Sequence, residues 1–303
     1  MSKIKVVVTG GAGFIGSHIV DVCLERGWDV HTIDNFAGGK KKDRINKKST
    51  FHKVDIRKYD DIAPIIGGAV YVFHLAALPR VQHTIDEPGE THDVNVSGTV
   101  NVLTAAHKGG VKKVIFSSSG ATYGDQEVMP LVETMPTDPK SPYGLHKICS
   151  EQYCRLWSNV YGLPTISLRY FNVYGPRLDP EGAYALAVGK FLKQKDEGKP
   201  ITITGDGKQT RDFIHVNDVV SANLLAAENE STVNGEIFNI GSGEETTINE
   251  LAQLIGGEIR YIPPRLEPYR SVADNSFAKK YLTWEPQISI EKGIKELKEE
   301  WGL

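Results

Sequence analysis

Lys5-Val6-Val7-Val8-Thr9-Gly10-Gly11-Ala12-Gly13-Phe14-Ile15-Gly16 decides the fold. Its uninterrupted apolar start marks a strand covered on both faces, which opens into a glycine-rich turn and an amphipathic stretch over 14–26. The first glycine permits a tight turn, the second lets a pyrophosphate approach the backbone, and the third lets helix pack on strand. A helix beginning there offers N–H groups and a partial positive charge to phosphate. Asp34 closes the next strand pattern, eighteen residues after Gly16. A carboxylate at that point accepts hydrogen bonds from the adenosine ribose hydroxyls and repels a 2′-phosphate. The pattern predicts a dinucleotide site that takes NAD rather than NADP.

Outward from this segment the chain alternates short β-branched runs (5–9, 29–34, 50–55, 70–75, 113–118, 165–170) with helical patterns (14–26, 91–107, 143–161). Such alternation implies right-handed βαβ units. After about Arg169 loops lengthen and gain Gly and Pro, with strand patterns at 200–205 and 235–240 and a helical run at 216–229. The expected class is α/β, a Rossmann-like doubly wound parallel sheet with a smaller, interleaved C-terminal substrate-binding domain. Residues 1–169 plus about 214–240 would form the cofactor domain, and 170–213 plus 241–303 the substrate domain.

Composition agrees with two folded units: 303 residues, 40% hydrophobic and 24% charged. Thirty-five basic against 38 acidic residues leave a net charge of −3, so no global basic field points to nucleic acid. The run Lys40-Lys41-Lys42, with Lys47-Lys48, reads as a solvated loop. Three cysteines (Cys23, Cys149, Cys154) have no metal-type spacing, and His18, His74 and His83 have none either, so no metal is expected. The absence of any apolar run of 18 residues predicts a soluble, cytoplasmic protein without membrane contact.

Tyr143 and Lys147 lie four residues apart on one helical face. An ammonium beside a phenol favours phenolate, drawing the tyrosine pKa down from about 10 and making a general base for a hydroxyl. Upstream, Ser117-Ser118-Ser119 ends a buried strand pattern and offers a hydroxyl to the same oxygen.

With these features stand His74-Leu75-Ala76-Ala77, Tyr143-Gly144-Leu145-His146-Lys147, Arg169-Tyr170-Phe171-Asn172 and Gln209-Thr210-Arg211-Asp212-Phe213. Together they resemble, in order and over essentially the whole chain, the extended short-chain dehydrogenase/reductases of the nucleotide-sugar epimerase/dehydratase group. Within it the chain is most similar to the UDP-N-acetylglucosamine and UDP-glucose 4-epimerases. The resemblance implies NAD held by Gly10, Gly13, Phe14, Ile15, Gly16, Asp34 and Asn35, with Asp55 and Ile56 flanking the adenine. It implies Leu75, Ala76 and Ala77 along the pyrophosphate and nicotinamide ribose, and Asn95, Ser117 and Tyr170 toward the nicotinamide. Tyr143 and Lys147 would be base and ribose-binding activator, and Ser119 would orient the sugar hydroxyl. Asn172 and Arg211 would hold the substrate diphosphate. Ala183 and Tyr184 would contact substrate, and Arg265 and Glu267 its uridine ribose.

The shared first step of that group oxidises C4 of the sugar. Dehydratases of the group carry an acidic pair after the serine or threonine, and decarboxylating members a glutamate nearby. Here the segment reads Ser119-Gly120-Ala121-Thr122-Tyr123, without a carboxylate, which leaves 4-epimerisation. The stretch Asn172 to Ala185 resembles the UDP-N-acetylglucosamine 4-epimerases, and Ser271 stands where glucose-restricted relatives place a bulky tyrosine. A serine leaves room for a 2-acetamido group. The expected substrates are UDP-GlcNAc/UDP-GalNAc together with UDP-Glc/UDP-Gal. The alternatives are a UDP-hexuronate 4-epimerase, with Arg177 against the C6 carboxylate, and a non-catalytic NAD-binding protein. The helical patterns 91–107 and 143–161 belong to helices that pair across a two-fold axis in this family, so a homodimer is expected.

Overall fold

The computed structural model describes residues 3–39, 42–180, 187–231, 234–264 and 269–303. Seven strands form one all-parallel sheet in the order Glu236–Ile240, Thr165–Tyr170, Lys113–Ser119, Tyr71–His74, Lys5–Thr9, Asp29–Ile33 and Thr50–His52. Successive side chains of a strand point to opposite faces. Val6 and Val8 accordingly enter one core with Ile19, Val20 and Leu224, from helices Phe14–Glu25 and Val216–Glu228. Val7 enters the other with Ile62, Leu103 and Cys154, from helices Tyr59–Ile66, Gly98–Lys108 and Pro142–Tyr161. Both faces are covered, which is why these strands read as continuous apolar runs.

From Lys5–Thr9 the chain winds outward through Asp29–Ile33 to Thr50–His52, then returns to pair Tyr71–His74 on the other flank. That reversal opens a crevice at the carboxyl ends of the two central strands. The edge strand Glu236–Ile240 joins the sheet beside Thr165–Tyr170 between two excursions of the chain into a second layer. There, short pairs join Val173–Tyr174 to Ile214–His215, Thr210–Arg211 to Thr246–Thr247, and Ile201–Thr204 to Ile259–Ile262. The Asp218 carboxylate accepts from Gln287 N and Ile288 N, and Trp284 Nε1 donates to Asp218 O, fastening the C-terminal segment to helix Val216–Glu228.

One predicted helix differs in form. The pattern over 91–107 is three pieces, Pro88–His92, a π-helical turn Asp93–Ser97, and Gly98–Lys108. The Asn95 carbonyl accepts both Thr99 Oγ1 (2.7 Å) and Ser150 Oγ (3.1 Å), side-chain donors that take over from the regular ladder. The strand expected over 50–55 stops at His52, where Val54 N turns back to His52 O.

Candidate active site

The crevice at the strand reversal is a cleft lined by Gly10, Gly13, Phe14, Ile15, Gly16, Asp34, Asn35, Asp55, Ile56, Leu75, Ala76, Ala77 and Ser117, among others. Gly10 has φ 71, and a Cβ there would lie 2.8 Å from Ala76 N, so the turn closes only on glycine. A Cβ on Gly16 would overlap the Gly10 carbonyl. Gly13 caps helix Phe14–Glu25 without a side chain, and the helix has no acidic residue in its first turn. That end suits an anion.

Asp34 accepts from Ala12 N (3.0 Å) and Phe36 N (2.7 Å). Burial pushes its carboxyl above the usual range, opposed by those two donors. Asp55 is held below its usual range, chiefly by Arg57, which it accepts at 2.6 Å, and it also accepts from Asn35 Nδ2. A side-chain-free turn beneath a helix N-terminus, with a carboxylate at the end of the second strand, fits a dinucleotide and in particular NAD.

A buried relay fixes the floor of this cleft. Thr99 Oγ1 donates to Asn95 O, so His74 Nε2 must donate to Thr99 Oγ1 (2.9 Å). His74 Nδ1 then accepts from Thr9 Oγ1 (2.7 Å), which in turn accepts from Ala76 N (3.2 Å). Burial, with Lys147 beyond it, holds His74 down to about 3, so it stays neutral. Nothing in the sequence pattern marked this relay.

A second cleft adjoins the first, with Pro79 on both walls, and gathers Ser119, Tyr143, Asn172, Arg211 and Ser271 from five separate segments. Ser141 caps helix Pro142–Tyr161 by accepting from Gly144 N, which sets Tyr143 in the first turn. Lys147, one turn on, is buried; its Nζ donates to Ser117 O (2.5 Å) and lies 5.6 Å from the Tyr143 ring centre and 4.8 Å from that of Phe116. Desolvation pulls this ammonium down to about 8, against Glu151, which raises it. Ser119 Oγ accepts from Ala121 N (3.2 Å). Tyr143 and Ser119 thus share the second cleft, with the buried Lys147 ammonium beside the phenol ring, an arrangement able to move a proton to and from a hydroxyl.

Several expected residues sit differently. Tyr170 lines the second cleft, not the cofactor cleft, and its hydroxyl donates to Asn223 Oδ1 (3.0 Å). Asn95 is buried and reaches neither cleft surface; its amide accepts from Leu78 N (2.7 Å) and donates to Leu78 O (3.1 Å), bracing the shared wall. Asn172 Nδ2 donates to Asp212 O. Asp212 is fully buried under donors from Ser242, Gly243 and Ala273, which excludes a surface pair with Arg211. Arg177 does not serve the second cleft: its Nη2 is paired with Asp21 (2.5 Å) on the cofactor helix. Ala183, Tyr184, Arg265 and Glu267 lie outside the described residues. Arg44, Leu78, Pro79 and Asp179 line the cofactor cleft without having been foreseen. They come from loops and the short 3-10 turn Lys42–Arg44, placed by tertiary contacts such as the Arg44 Nη2 bond to Arg177 O.

Among the described residues no group of three or more His, Cys, Asp or Glu could hold a metal, and no helix is long and apolar enough to cross a membrane.

Comparison with known proteins agrees with this geometry. The family model of the NAD dependent epimerase/dehydratase family matches residues 6–241. A UDP-glucose 4-epimerase of Mycolicibacterium smegmatis is 36% identical over 304 residues, covering 96% of each chain. The crystal structure of a Thermotoga maritima UDP-glucose 4-epimerase with UDP-glucose superposes with a TM-score of 0.93 at 41% identity, covering 98% of each chain. A UDP-N-acetylglucosamine 4-epimerase from Methanobrevibacter ruminantium, in complex with UDP-N-acetylmuramic acid, also gives 0.93, at 36% identity over 100% of this chain and 99% of that one. The chain belongs to the NAD dependent epimerase/dehydratase family, an enzyme whose cofactor is NAD.

Proposed function

We propose that this protein interconverts UDP-sugars epimeric at C4, with UDP-GlcNAc and UDP-GalNAc as its principal pair and UDP-Glc and UDP-Gal also accepted. The observation that carries the reading is the second cleft: beside the cofactor cleft it presents Tyr143 and Ser119 and, among the described residues, no carboxylate. Elimination of water across C5 and C6 needs an acid and a base there, whereas epimerisation needs only the phenol.

Residues 1–169 with about 214–240 would hold the cofactor, and 170–213 with 241–303 the nucleotide sugar. Gly10, Gly13 and Gly16 would admit the pyrophosphate, Asp34 the adenosine ribose, and Asp55 with Ile56 the adenine. Bound NAD supplies a reversible hydride acceptor at C4. Tyr143, as phenolate, takes the proton of the C4 hydroxyl, and the buried Lys147 ammonium stabilises that phenolate. Ser119 Oγ directs the same oxygen. Tyr143 returns the proton once the keto sugar has presented its opposite face; the small residues Gly120, Ala121 and Gly124 leave the cleft room for that turn.

Arg211 and Asn172 would take the diphosphate side, together with Ala183, Tyr184, Arg265 and Glu267. Ser271 lines the sugar cleft, where a small side chain accommodates an acetamido group. The hexuronate alternative loses Arg177 to Asp21. Of the two cations that line the cleft among the described residues, Lys140 is paired with Asp138 (2.5 Å), and Arg211 is assigned to the diphosphate side. The working unit would be a homodimer: Leu145, Leu156 and Val160 are exposed along one face of helix Pro142–Tyr161.

Incubation with UDP-GlcNAc, UDP-Glc and UDP-glucuronate, followed by the anomeric NMR signals, tests the reading. Formation of UDP-GalNAc without net NADH is expected. Conversion of UDP-Glc alone would overturn the acetamido assignment, and conversion of UDP-glucuronate alone would establish the hexuronate reading in its place.

A further inference from the structure

We propose that Glu151, clamped by Arg169, is a positioning residue for the epimerase reaction: it fixes the strand end Ser117–Ser119 and supplies the counter-charge of the Lys147 ammonium. The inference rests on the reading of Tyr143 and Lys147 given above and adds a residue that touches neither substrate nor cofactor.

Three consecutive residues at the end of strand Lys113–Ser119 are each held differently. The Ser117 carbonyl accepts from Lys147 Nζ (2.5 Å), the Ser118 hydroxyl donates to Glu151 Oε1 (2.5 Å), and the Ser119 side chain faces the sugar cleft. Strand alternation turns the Ser118 side chain away from those of its two neighbours, toward the face on which helix Pro142–Tyr161 carries Tyr143, Lys147 and Glu151 at one-turn intervals. Lys147 and Glu151 lie one turn apart on helix Pro142–Tyr161, whose span thereby pins both the main chain and a side chain of the strand.

The carboxylate cannot drift. Oε1 accepts from Arg169 Nε (2.8 Å) and Oε2 from Arg169 Nη2 (2.7 Å), with both side chains 3% exposed or less. Arg169 lies 4.5 Å over the Tyr123 ring, and Tyr123 in turn donates to Asn239. A pair this deeply buried is weak evidence of stabilisation, because desolvation offsets the attraction. Its position behind the proton-transfer groups gives it another use.

The electrostatics agree. The groups facing Lys147 are Tyr143, His146, Glu151 and Cys154 on its own helix and His74 on strand Tyr71–His74, with Arg169 beyond Glu151. Burial holds His74 down to about 3 and His146 to about 4, and lifts the Cys154 thiol to about 12. These three are neutral at working pH. Of the groups that raise Lys147, Glu151 acts most strongly, so its charge is what opposes desolvation there.

Three variants test the proposal, after wild-type protein has been shown to interconvert UDP-sugars; a wild type that does not sinks the epimerase reading itself and not this inference alone. Glu151→Gln should move the alkaline limb of the kcat profile down by about one to two pH units, leaving KM for the UDP-sugar within about twofold. The Lys147 ammonium, followed by NMR of ε-carbon-labelled lysine and assigned with Lys147→Arg, should titrate lower by the same amount. Because Glu151→Gln strands the Arg169 charge, the double variant Glu151→Gln/Arg169→Met removes both charges and should show a smaller shift in the same downward direction. Ser118→Ala keeps the charge and should lower kcat about tenfold with both limbs in place. Folded Glu151 variants whose limb and lysine titration stay at the wild-type values would overturn the counter-charge role. Unchanged kcat in Ser118→Ala would overturn the grip on the strand.

Discussion

In the proposed reaction Tyr143 and Lys147 act as a pair, the helix start setting one and burial tuning the other. Removing the phenol hydroxyl should therefore abolish proton transfer while sparing the fold. Tyr143→Phe is expected to lose about 10²- to 10⁴-fold in kcat with NAD still bound, read by initial rates and by cofactor fluorescence. The pH dependence has a definite sign. Burial pulls Lys147 down to about 8 in the folded protein, against 10.5 for a free lysine, so activity should fall as pH rises through about 8. Between those two values the unfolded chain carries the extra proton, so this group's contribution to stability rises over the same window. Kinetic profiles and thermal melts across pH 8 to 10.5 should diverge, and parallel loss of both would contradict the assignment.

Elements are joined at the cofactor cleft by contacts that leave no tolerance. Gly16 lets helix Phe14–Glu25 sit on the Gly10 turn, and overpacking there costs about 1–3 kcal/mol even when the backbone yields. Gly16→Ala should lower NAD affinity and Tm together, measured by cofactor titration and by melting. His74 spans strands Lys5–Thr9 and Tyr71–His74 and helix Gly98–Lys108 through Thr9 and Thr99. Two buried hydrogen bonds lost in His74→Leu should cost about 2–3 kcal/mol and weaken NAD binding through the freed Ala76 segment. The wild-type histidine also carries an acid liability. It is held to about 3 against 6.5 when free, so as pH falls from 6.5 the unfolded state alone gains its proton and stability drops. Denaturant titrations should show that acid-side loss flattened in His74→Leu.

At the level of the whole molecule, the exposed Leu145, Leu156 and Val160 stripe predicts that wild-type protein sediments as the proposed dimer and that Val160→Asp sediments as a monomer with NAD still bound. The layers themselves were written in local pattern. The apolar strand runs, the 10/13/16 glycines and the Tyr143–Lys147 spacing each reflect a rule acting within a turn or a strand, and strand 5–9 and strand 165–170 occur with their expected limits. Some signals were present yet weakly expressed: Thr247 and Glu250 form a capping box ahead of helix Ile248–Ile255, three residues apart in the chain. The clefts obey no such local rule. Ser119, Asn172, Arg211 and Ser271 meet because the chain leaves the sheet after Tyr170 and comes back to it at Glu236. The turn of Arg177 toward Asp21, the π-helical swing that brings Asn95 to Leu78, and the Glu151–Arg169 pair behind Ser118 are set by partners distant in the chain. Periodicity and turn chemistry carry information over a few residues, whereas a buried charge or amide finds its partner only when the packed interior leaves it no water to bond.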